Sequence, residues 1–147
     1  MSMSLPARIS IVTLGVSDLK RSTEFYQALG WQLAKASMPD TIVWFRTADS
    51  VLGLFPTGEL AADAGVPDDG EPTFRGVTLA VNLGSRAEVD AAMAAALSVG
   101  ADLVKAPTAA EWGGYSGYFA DPDGHLWELC HNPGFELTEE GRLDLPV

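Results

Sequence analysis

The sequence has little of the residue types on which several classes of protein depend. Its 147 residues include one cysteine, Cys130, so an internal disulfide is impossible. Cys130 lies in an apolar segment, which predicts a buried small hydrophobic residue rather than a reactive thiol. With only two histidines, close together near one end, the chain does not support a Ser-His-Asp arrangement. We expect a cytoplasmic, reducing location.

Long apolar runs and basic residues are also scarce. No segment approaches the roughly 18 uninterrupted apolar residues of a membrane span, and the first residues lack the basic and apolar parts of a secretory signal. Nine Lys and Arg against 20 Asp and Glu give a formal net charge of −11. This charge argues against a nucleic-acid partner, because phosphates require a basic surface. It permits a cationic ligand, but it is also typical of proteins kept soluble by acidic surfaces.

One segment, 118–129, is rich in structural information: Tyr-Phe-Ala-Asp-Pro-Asp-Gly-His-Leu-Trp-Glu-Leu. It is typical of two strands joined by a tight turn, because proline fixes φ and Asp and Gly tolerate left-handed conformations. Glu128 is the carboxylate in an otherwise apolar second strand. No P-loop is present and no Gly-x-Gly-x-x-Gly pattern follows a predicted strand, so no nucleotide cofactor is predicted.

Similar segments in the two halves predict one unit present twice. The segment 44–55 resembles 118–129, and superposing the two aligns Leu54 with Glu128. Thr-Leu-Gly-Val at 13–16 likewise resembles a second segment, Thr-Leu-Ala-Val, 65 residues later. Because repeats determine the architecture, these similarities favour two copies of a supersecondary unit.

Each unit is predicted to contain a strand, a helix and three strands. The first has strands at 9–16, 31–37, 41–47 and 51–55 and a helix at 18–29, with Ser17 as its N-cap and Gly30 at its end. The second has strands at 74–83, 102–105, 116–120 and 126–131 and a helix that follows the capping box Ser85-Arg-Ala-Glu88 and ends at Gly100.

The predicted fold class is therefore α+β, with two tandem βαβββ modules that form a curved mixed sheet with a central cavity. We expect a single domain over residues 1–147. Its predicted parts are a first module at 8–56, an acidic linker at 57–73, a second module at 74–132 and a C-terminal tail at 133–147.

This organisation resembles the vicinal oxygen chelate superfamily, which includes glyoxalase I, bleomycin-resistance proteins and extradiol dioxygenases. The resemblance rests on the repeated βαβββ order, on the 118–129 segment and on the pattern Thr-Leu-Gly-Val-Ser-Asp-Leu…Ser…Phe-Tyr…Leu-Gly-Trp at 13–31. It covers about residues 8–132. It implies the fold more than the function, because this fold hosts isomerases, dioxygenases, thiol transferases and non-catalytic drug binders.

The resemblance also implies where a metal site would lie. Metal-using members take a ligand, often His, from the first strand of each unit and another, commonly Glu, from the last. These positions correspond to Ile11, Leu54, Gly76 and Glu128, of which only Glu128 can bind a metal ion. One carboxylate does not hold a catalytic divalent ion. His125 and His131 do not complete a site, because successive residues of a strand point to opposite faces, and each lies three residues from Glu128. We predict no metal and no cofactor.

Glu128 has two interpretations. As a lone carboxylate in an apolar cavity, it would suit general acid/base catalysis or pairing with a cationic ligand. Alternatively, it only hydrogen-bonds to nearby hydroxyls such as those of Ser116, Tyr118 or Thr13, because a buried carboxylate requires partners.

Other ligand-binding candidates are mainly aromatic. Trp112 and Tyr115 flank a Gly-Gly pair ahead of a strand, which favours a loop that covers a planar ligand. Trp44 and Tyr118 lie in predicted strands, and Asn82 is polar at a strand end. The alternative is that aromatic side chains, Trp44 above all, pack the sheet and that the glycines permit a turn.

Several functions remain open. The first is a glyoxalase- or bleomycin-resistance-like protein without a metal site, which binds a small hydrophobic or aromatic molecule, or a cationic one, in the cavity of each unit or at a dimer interface. The second is a metal-independent isomerase or lyase with Glu128 as general acid or base. The third is a scaffold without a substrate. A metal-dependent glyoxalase or dioxygenase follows if the ligand alignment is wrong. The predicted partners are a small molecule and a second copy of the chain, with neither nucleic acid nor membrane.

Overall fold

The computed structural model describes residue 5 and residues 7–70 and 73–146. The elements of the first half are β1 (Ile11–Val16), α1 (Leu19–Ala28), β2 (Gln32–Leu33), β3 (Val43–Arg46), β4 (Val51–Pro56) and α2 (Thr57–Ala64). Those of the second half are β5 (Leu79–Asn82), α3 (Arg86–Ser98), β6 (Asp102–Ala109), β7 (Tyr115–Ala120), β8 (Leu126–His131), β9 (Glu136–Leu137) and β10 (Leu143–Asp144). The predicted α+β class and the repeated βαβββ order are confirmed.

The two modules form two four-stranded mixed sheets with the same topology. Their strand orders are β1-β4-β3-β2 and β5-β8-β7-β6. β1 pairs in parallel with β4, and β5 pairs in parallel with β8, whereas the other neighbouring strands are antiparallel. Within the described residues no ladder joins the two sheets, which share one hydrophobic core. Leu14, Tyr26 and Phe45 of the first module belong to the same core cluster as Met93 and Trp127 of the second.

Helix α1 begins one residue later than predicted. Its N-cap is Asp18, whose carboxylate accepts a hydrogen bond from the Arg21 N–H at 3.0 Å, so the prediction of Ser17 as N-cap is wrong. Ser17 instead donates hydrogen bonds to Asp123 of the second module, as described below. Gly30 follows the helix with φ of 91°, the left-handed conformation that favours glycine after a helix.

Helix α3 matches its predicted signals. The Ser85 hydroxyl accepts a hydrogen bond from the Glu88 N–H at 3.1 Å, as expected of the capping box. Gly100 follows the helix with φ of 105°. Its buried face consists of Val89, Met93 and Ala96.

Helix α2 lies where an acidic linker is predicted. It ends at Gly65, whose φ of 71° terminates the helix in the left-handed region. The abundant Gly, Pro and acidic residues of the segment 57–73 favour a linker, but the structure has an eight-residue helix there, which contacts β1 and β4.

Predicted strand bounds are least accurate for β2 and β5. The predicted strand at 31–37 retains two paired residues, because the Ser37 hydroxyl accepts from the Trp44 N–H at 3.0 Å and donates to the Trp44 carbonyl at 3.2 Å. These side-chain bonds take the place of strand pairing. β5 begins at Leu79 rather than at 74. β6 continues past 105 because two register shifts let it follow β7.

Outside the modules, β9 and β10 pair as a short hairpin in the predicted tail. No helix in the described part of the chain is long and apolar enough to cross a membrane. β1 and β2 are the edge strands of the first sheet, and β5 and β6 are those of the second. Pairing of a second copy at such edges stays a prediction.

Candidate functional site

An open cavity of about 610 Å³ lies between the two modules. β1 forms one wall, while the approach to β5 and the entry to β8 form another. The apolar lining is contributed chiefly by Leu14, Leu60, Phe74, Val77, Leu79 and Leu126. Small-molecule sites of proteins commonly have volumes of about 300–1,000 Å³ and mainly apolar walls. The cavity therefore has the size and chemistry of a ligand site, although it lies between the modules rather than within each one.

Helix α2 forms a further side of this cavity. Thr57, Leu60, Ala61 and Ala64 lie on one face of the helix, at the spacing of successive turns, and line the cavity. α2 can approach β1 closely because residue 15 is glycine: an added Cβ there would lie 2.9 Å from the Thr57 hydroxyl oxygen and 3.3 Å from Thr57 Cα. A larger residue at Gly15 would displace the helix.

Two basic side chains line the same cavity, and hydrogen bonds fix both of them. Arg75 Nη2 donates to the Asp123 carbonyl at 3.0 Å. His125 Nε2 lies 2.7 Å from the Gly15 carbonyl, which accepts the hydrogen bond, so Nε2 carries a proton. This second bond joins one wall of the cavity to the other.

The 121–125 turn between β7 and β8 is held by the N-terminal part of α1. Asp123 Oδ1 accepts from both the N–H and the hydroxyl of Ser17 at 2.8 Å, and Oδ2 accepts from the Ser22 hydroxyl at 2.9 Å. Arg21 Nη2 lies 3.4 Å from Oδ1, and the Asp123 side chain is only 8% exposed. Burial acts to raise the pKa of Asp123, but the Ser17 and Ser22 hydrogen bonds and the Arg21 charge outweigh it and lower the pKa.

A second carboxylate of the turn, Asp121, is 2% exposed and joins the turn to the core. Its Oδ1 accepts from the N–H groups of Asp123 at 3.0 Å and His125 at 2.8 Å, which closes the turn. Its Oδ2 accepts from the Tyr26 hydroxyl at 2.7 Å, and that hydroxyl accepts from Trp127 Nε1 at 3.0 Å. Burial and the Asp121 charge raise the pKa of Tyr26 far above its ordinary value, so the phenol remains a donor.

Glu128 lies on the sheet face opposite the core. Alternation along β8 places Trp127 and Leu129 in the core and leaves Glu128 half-buried on the other face. Tyr118 is its partner across the strands, and Thr78 lies beside the same phenol. Burial and the Glu128 carboxylate raise the pKa of Tyr118. Of the hydroxyls that the sequence proposes as partners, the Tyr118 hydroxyl therefore lies beside Glu128.

Cys130 and Asn82 extend this polar group. The Cys130 thiol lies 3.4 Å from Asn82 Oδ1, which also accepts from Asn132 Nδ2 at 3.3 Å. Burial and the Glu128 charge raise the pKa of Cys130 to about 11. Cys130 is buried, as its apolar sequence context predicts.

The remaining predicted ligand residues lie apart from one another. Trp44 is half-buried on the face of β3 away from the core, and its ring covers Gly53. Trp112 is 72% exposed and borders a smaller cavity of about 360 Å³ together with Phe135. Tyr115 donates to Asp90 Oδ1 at 2.6 Å.

The residues predicted to form the site are therefore not the residues that line the cavity. Within the described part of the chain, neither Glu128 nor any of the predicted ligand contacts lines the 610 Å³ cavity. The roles of Trp44, Asn82, Trp112, Tyr115, Tyr118 and Glu128 stay predictions. The cavity residues of α2 carry a weak sequence signal, namely Leu60, Ala61 and Ala64 at helical spacing just before Gly65. Arg75 carries none.

The sequence profile of the Glyoxalase/Bleomycin resistance protein/Dioxygenase superfamily matches residues 8–129, which is most of the chain. The chain belongs to this superfamily. The predicted resemblance to glyoxalases, bleomycin-resistance proteins and dioxygenases is thereby confirmed.

Solved structures of the superfamily have the same fold. The chain is similar to a glyoxalase-related enzyme from Fulvimarina pelagi, with 30% identity, a TM-score of 0.85 and coverage of 97% of this chain and 100% of that one. A glyoxalase/bleomycin resistance protein/dioxygenase from Nocardioides has 31% identity and a TM-score of 0.73, with 88% and 85% covered. A lactoylglutathione lyase from Agrobacterium tumefaciens, at 24% identity, a TM-score of 0.66 and 90% and 100% coverage, shows likeness of fold alone. No curated protein matches the sequence.

Strand pairing corrects one of the positions at which superfamily members bind metal. Trp44 pairs with Gly53, and the equivalent Tyr118 pairs with Glu128, so Gly53 rather than Leu54 occupies the position of Glu128. Leu54 is fully buried in the core. The alignment is wrong by one residue because the paired strands enclose residues 47–50 in the first hairpin but 121–125 in the second, which is one residue longer.

The corrected set of side chains still does not fit a catalytic metal ion. Ile11, Gly53 and Gly76 have no ligating side chain, which leaves Glu128 alone. Among residues 5, 7–70 and 73–146, no three His, Cys, Asp or Glu side chains are grouped so that they could hold a metal ion. The donor set of this superfamily member is therefore unlike that of a zinc or iron enzyme.

Calorimetric titration with zinc, nickel, manganese and iron(II) is expected to detect no stoichiometric binding. The reason is that one carboxylate supplies too few ligands for a catalytic divalent ion. Protein purified without added metal and the Glu128→Gln variant should give indistinguishable titrations. One-to-one binding by the wild type that disappears in the variant would contradict the ligand assignment and restore a metal-dependent reaction.

Proposed function

We propose that this chain is a small-molecule binding protein that holds a hydrophobic or aromatic ligand in the cavity between its modules, without a metal ion. The observation that carries this proposal is the cavity itself: about 610 Å³, with largely apolar walls from both modules. Apolar surface that a ligand removes from water stabilises the complex in proportion to its area. Bleomycin resistance proteins belong to the same superfamily, and they are a precedent for this class of function but not for the ligand.

The charges around the cavity favour a ligand that carries a polar or cationic group at one end. Asp68 and Asp69 line the cavity together with Arg75, and the whole chain has a formal net charge of −11. A cation is attracted to such a protein over distances comparable with the Debye length. We therefore propose an amphipathic ligand whose apolar part contacts residues such as Leu14 and Leu126.

A bulky residue on the cavity side of α2 tests this function directly. Ala61→Trp is expected to weaken binding of the neutral fluorescent dye N-phenyl-1-naphthylamine at least about tenfold, or about 1.4 kcal/mol, because the indole occupies the space of the ligand. Ala61 is half-buried and lines the cavity. Fluorescence titration gives the dissociation constants of wild type and variant.

The matched control is Ala62→Trp on the same helix. Ala62 is exposed and is not part of the cavity lining, so the same indole is added toward solvent. This variant should bind the dye as the wild type does, and both variants should retain the wild-type melting temperature within a few degrees. Equal affinity of all three proteins, or no saturable binding by the wild type, would contradict the proposed site.

A second candidate function is metal-independent acid/base catalysis by Glu128 on a small carbonyl compound. It is favoured by the position of Glu128, half-buried on the face away from the core with Tyr118 beside it. A pH–rate profile that is abolished by Glu128→Gln but unchanged by Ala61→Trp would support this second function. A profile that is abolished by Ala61→Trp but unchanged by Glu128→Gln would instead support the cavity as the functional site.

A further inference from the structure

The 121–125 turn is the structure that joins the two modules beside the cavity. Four of its positions hydrogen-bond to the first module: Asp121 to Tyr26, the Pro122 carbonyl to Arg21, Asp123 to Ser17 and Ser22, and His125 to the Gly15 carbonyl. They connect the two modules, between which the described residues form no strand ladder.

The same turn also forms part of the cavity wall. Gly124, His125 and Leu126 line the cavity from the second module, and Gly15 lines it from the first. The bond from His125 to Gly15, 2.7 Å long, therefore spans the two walls. Asp123 lies next to these lining residues and is fixed by α1. A shift of the turn relative to α1 would change the separation of the walls.

We propose that Asp123 and His125 are positioning residues that set the separation of the cavity walls and so determine which ligands the cavity accepts. This inference rests on the proposed function, since it concerns the ligand of that cavity. Asp123 holds the turn against α1 by accepting hydrogen bonds on both carboxylate oxygens. His125 holds the opposite wall by its single bond to a main-chain carbonyl.

The charged groups around Asp123 determine how acid affects this contact. Arg21 of α1 faces its carboxylate, and Asp18 caps the same helix. Arg75 reaches the turn from the segment before β5, and Asp121 and His125 belong to the turn itself. The ionised Asp123 accepts all its hydrogen bonds, so the contact weakens only when falling pH protonates this carboxyl.

Two variants and one control test the proposal by dye binding. Asp123→Asn removes the charge and one acceptor, and should weaken N-phenyl-1-naphthylamine binding at least about tenfold. His125→Ala should weaken binding as well, while His125→Gln, which retains a donor near Nε2, should restore much of the affinity. Asp49→Asn is the control, because Asp49 lies exposed in the corresponding turn of the first module. The dye affinity of this control should match that of the wild type.

A pH profile distinguishes positioning from simple loss of folding. Wild-type affinity should fall as pH falls through the titration of Asp123, which carboxyl NMR can follow, whereas Asp123→Asn should lack this step. The Ser17 N–H, bonded to Asp123 at 2.8 Å, gives a readout that requires no ligand. Its hydrogen exchange should accelerate at least about tenfold in Asp123→Asn.

The outcomes separate this inference from the proposed function. If the dye does not bind wild-type protein, the proposed function fails, whereas the Ser17 exchange rate still reports the contact between the modules. If Asp123→Asn leaves the exchange rate, the affinity and its pH profile at wild-type values, the positioning role of Asp123 is overturned. Should the variant fail to fold, the wild-type titration decides: the Ser17 N–H shift must follow the Asp123 carboxyl with one midpoint, and independent midpoints would overturn the proposal.

Discussion

Asp121→Ala is expected to lower the free energy of unfolding by about 3 kcal/mol or more, since breaking a buried network leaves several polar groups unpaired. The substitution removes the acceptor of the Tyr26 hydroxyl and of the N–H groups of Asp123 and His125. It thereby loosens the turn and its contact with the core together. Urea unfolding, followed by tryptophan fluorescence, measures the change from the shift in midpoint at constant slope.

Two further variants show whether the network is responsible. Tyr26→Phe removes one hydroxyl, which is bonded to Asp121 and Trp127, and should cost less, about 1–3 kcal/mol. Asp49→Ala, in the exposed turn of the first module, should change stability by no more than about 0.5 kcal/mol. A loss below about 1 kcal/mol for Asp121→Ala would show that the carboxylate does not hold the modules together.

Cys130 is expected to react with iodoacetamide about 100-fold more slowly than an ordinary thiol at pH 8. Burial first, and the Glu128 charge second, raise its pKa from an ordinary 9.0 to about 11, which lowers the thiolate fraction at pH 8 by about 100-fold. The rate should continue to rise about tenfold per pH unit up to pH 11 while the protein stays folded. Alkylation reports this residue alone, because the chain has one cysteine.

The neighbouring carboxylate provides the control for this reaction. Glu128→Gln removes the negative charge and should accelerate alkylation, whereas protein unfolded in urea should react like a free thiol. If native Cys130 reacts at pH 8 as fast as the unfolded protein does, the burial of this face of β8 is contradicted. An unchanged rate in Glu128→Gln would instead place the carboxylate too far from the thiol to affect it.

Much of the fold follows from local sequence patterns. The capping box before α3 and the glycines after α1 and α3 mark helix ends because they satisfy backbone groups or accept positive φ. The bounds of β8 agree with the predicted 126–131. The repeat could be recognised because both modules have the same order of elements, one strand, one helix and three strands.

The errors occur where tertiary contacts decide. A hairpin connection that is one residue longer in the second module aligns Gly53, not Leu54, with Glu128, and a sequence alignment without a gap cannot represent this difference. Helix α2 depends on β1 for a surface to cover, so its composition alone favours a linker. Asp18 rather than Ser17 caps α1 because Ser17 bonds to Asp123, more than a hundred residues away.

The candidate site is the least predictable part of the molecule. Side chains with conspicuous chemistry, such as Trp112 and Glu128, lie away from the cavity. The cavity lining has a largely apolar surface and comes from both modules, so each residue is ordinary by itself. Only the relative placement of the modules, which depends on the 121–125 turn, brings these residues together.

The most direct test of cavity binding is an amide NMR titration of the wild-type protein with N-phenyl-1-naphthylamine. Saturable shifts are expected for the amides of Leu60, Ala61, Gly124 and Leu126, which line the cavity from both modules. The amide of Trp112, beside the smaller cavity, should remain unchanged. Shifts confined to Glu128 and its neighbours on the opposite sheet face, or no saturable shifts at all, would contradict a ligand site between the modules.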